Sequence, residues 1–192
     1  MDKHGIRTFF SIDLPVLTLE QIKKELFCLK NSTLRNIKWA SSNSMHITIK
    51  FIGDFNPEHK SSIQKDLRSH LIKFGEIKLS FGEMSVFPNL RNPRIVWLSL
   101  NEHGQLIRLA RVVDLITSNY GYLKEKRNFS PHLTIGRVRN NASSRDKELL
   151  SQKIANNESM DITPFTTNKL SFIKSSLTPQ GPIYSTLFRI PL

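Results

Sequence analysis

Cysteine is almost missing from this chain of 192 residues: the single one, Cys28, excludes an intramolecular disulfide and any metal site built from several thiolates. A reducing interior is therefore the expected setting. Acidic side chains are also scarce, 16 against 28 lysines and arginines, which gives a formal net charge of +12. A surface of that sign attracts polyanions, nucleic acid first among them. Long apolar runs are absent. The stretch from Thr8 to Leu14 is broken by Asp13 and stopped by Pro15, which fits neither a signal peptide nor a membrane span. A cytoplasmic protein without a membrane partner is expected. The chain also lacks low-complexity tracts, carboxylate clusters and a glycine-rich phosphate loop, so nothing calls for a metal or a cofactor.

What the chain does have is one phrase written twice. His46-Ile47-Thr48-Ile49 and His132-Leu133-Thr134-Ile135 both read His, apolar, Thr, apolar, and lie 86 residues apart. In a chain with 6 His and 11 Thr, chance supplies a single His-x-Thr triplet often, but two copies with apolar second and fourth positions only at roughly the 0.001 level. Side chains alternate along a strand. His46 and Thr48 are thus expected on one face, with Ile47, Ile49 and Phe51 on the other, and His132 and Thr134 repeat the arrangement.

Periodicity and turn residues place these motifs in order. The pattern predicts a strand over 6–14, a helix over 18–28 capped by Thr18, a short strand over 36–40, and the first motif strand over 44–52, closed by Gly53. A helix over 57–74 follows, with Ile63, Leu67, Leu71 and Ile72 on its apolar stripe, then strands over 77–87 and 94–100. The second half repeats this rhythm: a helix over 102–120, the second motif strand over 130–138, a helix over 144–155, and strands over 166–175 and 183–190. This order implies an α+β architecture, bilobal and duplicated, with two antiparallel sheets flanked by helices and a central cleft. Residues 1–192 are read as one domain of two pseudo-symmetric lobes, each contributing a motif to the cleft.

Two imidazoles facing one cleft suit phosphodiester chemistry. Histidine's ordinary pKa near 6.5 makes both protonation states accessible, so one ring can take a proton from a nucleophile while the other protonates the departing oxygen. Thr48 and Thr134 can donate to the non-bridging phosphate oxygens. A lone strand histidine is more often hydrogen-bonded scaffolding than a catalyst; the duplication reverses that preference. His4, His59, His70 and His103 receive no role. Arg137 is a candidate clamp for phosphate or ribose and Arg94 a weaker one, while Lys124, Lys126, Arg127 and Arg139 add positive charge around the second motif. Phe87 and Trp97 could stack on a base, but burial in the core is the stronger expectation for both.

With these residues the chain resembles the 2H phosphoesterase superfamily, and within it the RNA 2′,3′-cyclic phosphodiesterases, or 2′-5′ RNA ligase-like proteins. The resemblance extends from Arg7-Thr8-Phe9-Phe10-Ser11-Ile12-Asp13-Leu14-Pro15 through both motifs. It continues through Phe87-Pro88-Asn89, Pro93 to Trp97, Ser175-x-Leu177 and Gly181-Pro182-x-Tyr184. It implies a LigT-like bilobal fold and metal-independent hydrolysis of a terminal RNA 2′,3′-cyclic phosphate to a 2′-phosphomonoester. By resemblance, His46 is the proton donor to the 3′ oxygen and His132 the proton acceptor from water. Run backwards, the same site would make a 2′-5′ linkage. The implied partner is an RNA end, tRNA fragments included, met by a monomer. The alternatives are a noncatalytic RNA-end binding module and a phosphodiesterase for 2′-5′ oligoadenylate or small cyclic nucleotides.

Overall fold

The computed structural model describes residues 6–31, 36–101, 104–156, 160–179 and 181–192; His4 and His103 lie outside them. Nine strands are described: β1 (Ile6–Asp13), β2 (Ile37–Trp39), β3 (His46–Phe55), β4 (Ile77–Phe87), β5 (Ile95–Asn101), β6 (His132–Val138), β7 (Phe165–Thr167), β8 (Lys169–Thr178) and β9 (Gly181–Pro191). Four α-helices accompany them: α1 (Val16–Asn31), α2 (Lys60–Leu71), α3 (Gln105–Ser118) and α4 (Ser144–Ala155). The α+β expectation holds. Strands follow the path β7-β4-β5-β6-β3-β1-β8-β9, with β2 beside β6. Two four-stranded arms, each antiparallel, meet at the motif strands, where β3 and β6 pair through Ile47 and Leu133.

The helices follow their apolar stripes. In α3, Leu106, Leu109, Val113 and Ile116 are buried at the predicted spacing, and α3 packs on β3. In α2, Ile63, Leu67 and Leu71 are buried, but Ile72 lies beyond the last turn and is exposed. Helix α1 begins two residues before Thr18, because the Pro15 carbonyl already accepts from Leu19 N at 3.0 Å; Thr18 is buried within the first turn rather than capping it. Helix α4 opens with a reciprocal cap, Ser143 accepting from Asp146 N while the Asp146 carboxylate accepts from Ser143 N. No described helix is long and apolar enough to cross a membrane.

Two departures reorganise the sheet. The strand expected over 166–175 is divided at Asn168: β7 pairs with β4 in one arm, whereas β8 pairs with β1 in the other. The first motif strand also does not stop at Gly53. That glycine, at φ 77°, lies within β3 beside a register slip against β1, and pairing continues to Phe55. On the core face, Phe10 stacks on Phe172 at 4.4 Å, and Phe55 and Phe188 close around the pair at 4.8 and 5.0 Å from Phe172. This interior holds β1, β3, β8 and β9 together from behind, leaving the motif histidines on the opposite face.

Candidate active site

Each histidine is anchored in the same way. His46 Nδ1 donates to the Ser44 carbonyl at 2.9 Å, and His132 Nδ1 donates to the Ser130 carbonyl at 2.8 Å. In both, a carbonyl two residues upstream engages one ring nitrogen, so the neutral ring carries its proton on Nδ1 and offers Nε2 as an acceptor; the protonated ring offers Nε2–H as a donor. Antiparallel register through Ile47 and Leu133 sets His46 across from Thr134 and Thr48 across from His132. The four side chains are half-buried, and among the described residues neither threonine hydroxyl has a hydrogen-bond partner.

The strand neighbours build an aromatic frame. His46 stacks on Phe9 at 4.6 Å and meets Tyr184 edge-on at 5.2 Å, while Phe9 and Tyr184 touch at 5.3 Å. His132 meets Phe87 and Trp97 edge-on, at 5.3 and 5.7 Å, and those two stack at 4.7 Å. Phe87 and Trp97 are therefore half-buried walls of the site rather than core residues, contrary to the sequence expectation. Phe9 and Tyr184 were not legible as site residues: β9 returns to His46 from the far end of the chain, through β8 and β1.

Burial among Phe9 and Tyr184 lowers the His46 pKa from 6.5, opposed by the Ser44 carbonyl and by the negative charge of Asp13, which lies across from it on β1. Asp13 is itself held by Ser171 Oγ at 2.7 Å and by Arg189 Nε at 3.3 Å. Burial raises the pKa of Tyr184, and the charges of Arg137 and Arg7 work against that rise. Arg137 is thus on the site face, near the His46 flank. Arg94 precedes β5 beside the end of β6, its carbonyl accepting from Val138 N at 2.9 Å.

Both motif strands slip register at the same place. Opposite β1, Thr48 and Lys50 pair with consecutive residues and Ile49 is extra; opposite β5, Thr134 and Gly136 do so and Ile135 is extra. The slip reverses the alternation beyond it. Lys50 turns inward, 6% exposed, donating to Asp114 Oδ1 at 2.6 Å and Thr117 Oγ1 at 2.8 Å. It is no cation of the site. Phe51 turns outward, 64% exposed and 5.9 Å from Phe9, so it joins the His46 face instead of the core face that simple alternation assigns it. Lys124, Lys126, Arg127 and Arg139 are all exposed. Among the described residues no group of three or more His, Cys, Asp or Glu is arranged to hold a metal ion.

The chain is similar to known proteins in sequence and in fold. Residues 21–178 match the family described as the 2′-5′ RNA ligase superfamily. An RNA 2′,3′-cyclic phosphodiesterase of Methanocaldococcus jannaschii is 33% identical over 95% of this chain and 98% of its own. One from Methanothermobacter thermautotrophicus is 28% identical over 95% and 96%. In fold, the chain is similar to a crystal structure of a protein from Thermus thermophilus (TM-score 0.79, 18% identity, 97% of this chain and 98% of that one). It is similar also to E. coli LigT complexed with 3′-AMP (TM-score 0.76, 21% identity, 97% and 98%).

Proposed function

Since the chain belongs to the 2′-5′ RNA ligase superfamily, we propose that it hydrolyses the terminal 2′,3′-cyclic phosphate of RNA to a 2′-phosphomonoester, without a metal. The observation that carries this reading is the matched anchoring of His46 and His132, each bound through Nδ1 to the carbonyl two residues upstream and neither with a hydrogen bond at Nε2 among the described residues. In the proposed step, water attacks phosphorus as His132 Nε2 takes its proton. The P–O3′ bond breaks as His46 Nε2–H protonates the 3′ oxygen. Thr48 and Thr134 donate to the non-bridging oxygens as their charge grows, and Arg137 balances the phosphate. Exchange with solvent then reloads His46 and unloads His132. With an RNA 5′-hydroxyl in place of water, the same step forms a 2′-5′ bond.

A lowered pKa leaves His46 less often protonated in the empty groove, which opposes a role as acid. The negative charge of a bound phosphodiester pushes the other way, so substrate binding itself favours the proton donor. The same reading takes residues 1–192 as one unit of two pseudo-symmetric lobes, acting in the cytoplasm as a monomer on RNA ends that include tRNA fragments. The symmetry is supported by the order β1-α1-β3-α2 in one arm and β5-α3-β6-α4 in the other.

The test is turnover of an oligonucleotide 2′,3′-cyclic phosphate in EDTA, read as appearance of a 2′-phosphate. Silence at every pH from 5 to 8 sinks the reading. The assignment of roles has its own test. An activated nitrophenyl phosphodiester, whose leaving group needs no proton, should recover turnover in His46→Ala and not in His132→Ala; the opposite pattern exchanges acid and base.

A further inference from the structure

Strand β2 lies along the part of β6 that β3 leaves uncovered. Lys38 is paired directly across from Arg137, and Arg139 extends the ladder by donating its N–H to the Asn36 carbonyl at 2.9 Å. Directly opposed residues share a face, as do residues two apart on one strand, so Lys38, Arg137 and Arg139 all project from the same side of the ribbon. All three are exposed, whereas Ile37 and Trp39, on the alternate positions of β2, pack against the core. Like charges opposed across a ladder repel. Among the described residues none of the three has a carboxylate in ion-pair contact. Asp146, the acid tied to this end of the ribbon, is engaged by Asn36 Nδ2 at 2.7 Å, Ser143 N at 2.8 Å and Ser143 Oγ at 2.6 Å.

The other flank has a different character. On the Phe9–Tyr184 side, Phe51 is exposed, as is Leu177, at 67%, on the same face of the β8–β9 hairpin as Tyr184; Asp13, across from His46, is ion-paired to Arg189, and Arg7 lies within electrostatic reach of Tyr184. That side mixes apolar surface with an ion pair and a single arginine, whereas the β2–β6 side gathers three cations on one face, none of them in an ion pair among the described residues. Two-residue steps along a strand are about 7 Å, comparable with the spacing of successive phosphates on an extended single strand.

We propose that RNA leaves the groove over the β2–β6 ribbon, the phosphates 5′ to its cyclic end lying along Arg137, Lys38 and Arg139, so that an oligonucleotide end is preferred to a lone cyclic mononucleotide. The inference rests on the reading of the groove as a site for cyclic-phosphate RNA ends. Each cation that neutralises a phosphate of a single strand adds about 0.7 to the salt dependence of binding.

The experiment compares the wild type with Lys38→Gln/Arg139→Gln on two substrates, a hexanucleotide 2′,3′-cyclic phosphate and cytidine 2′,3′-cyclic phosphate. The expected result is a roughly tenfold higher KM for the hexanucleotide, a log–log salt slope shallower by about 1.4, and unchanged kcat and KM for the mononucleotide. Lys38→Arg/Arg139→Lys should restore the hexanucleotide values. Equal losses on both substrates, or none, overturn the proposal. Should the wild type turn over neither substrate, the proposed activity has failed separately, and fluorescence anisotropy of a labelled hexanucleotide decides the ribbon. A salt slope lost in the double glutamine variant supports it; an unchanged slope overturns it.

Discussion

The two arms carry the same motif, the same slip of register after it, and then opposite residues. Lys50 in one arm occupies the position of Gly136 in the other, and Phe51 the position of Arg137, as their pairing with Phe10, Val96, Phe9 and Ile95 shows. The first contrast comes from what packs behind. Among the described residues no strand pairs with Lys50 on the side away from β1, and its side chain reaches α3, where Asp114 and Thr117 fix it; Asp114 also accepts from Glu125 N at 3.0 Å, tying in the loop before the second motif. Gly136 is paired with Trp39 of β2, and a Cβ there would sit 2.8 Å from Ile37 Cγ2 and 3.1 Å from Trp39 Cε3. The second contrast sets what each strand exposes after its slip, a phenyl ring beside Phe9 in β3 and a guanidinium beside Lys38 of β2 in β6. Two similarly built arms thus carry matching motif strands in unlike surroundings.

The largest expected effect tests whether the arms are partners at all. His46→Ala and His132→Ala should each lower kcat on a cyclic-phosphate oligonucleotide by at least about 10²-fold; a large loss in one and a small loss in the other would show that a single imidazole suffices.

Next comes the anchor peculiar to the first arm. Asp114→Ala strands a buried ammonium and should lower stability by about 3 kcal/mol in urea unfolding. Lys50→Met should cost less, because Asp114 is 23% exposed and keeps the Glu125 N–H. Equal losses would mean that the pair matters through packing alone.

The matching test in the second arm is Gly136→Ala, expected to destabilise by about 1–3 kcal/mol as β2 is pushed from β6. A neutral result would show that β2 can shift at little cost.

Exchanging the flanks is gentler. Phe51→Arg should steepen the salt dependence of hexanucleotide binding by about 0.7, and Arg137→Phe should flatten it by a similar amount; anisotropy titrations over a range of salt read both.

The smallest effect concerns pH. The folded chain resists charging His46, so below pH 6.5 the unfolded chain binds a proton that the folded one declines. Stability should fall with pH from 6.5 down to the lowered folded pKa, and be indifferent to this group above 6.5. His46→Gln should flatten the Tm profile between pH 7 and 5, and phosphate should move the His46 NMR titration upward.

Much of this was legible because it is local. The stripe of α3 and the motif strands follow from spacing, and the repeated His-x-Thr announced the four central side chains. Phe51 was misassigned because a register slip reverses alternation without leaving a sequence mark. Phe87 and Trp97 were expected in the core because bulk favours burial, whereas β4 and β5 turn both toward His132. Tyr184 reaches His46 only because two intervening strands bring it there.

The sequence by itself determined the α+β order, the basic surface and the paired motifs, since period, charge and composition are properties of neighbouring residues or of simple totals. Only the tertiary structure decided which side of each slip Lys50, Phe51 and Arg137 occupy, and which distant rings enclose each imidazole. Those outcomes depend on pairing between strands far apart in the chain, and a one-residue slip in such a pairing exchanges core for site.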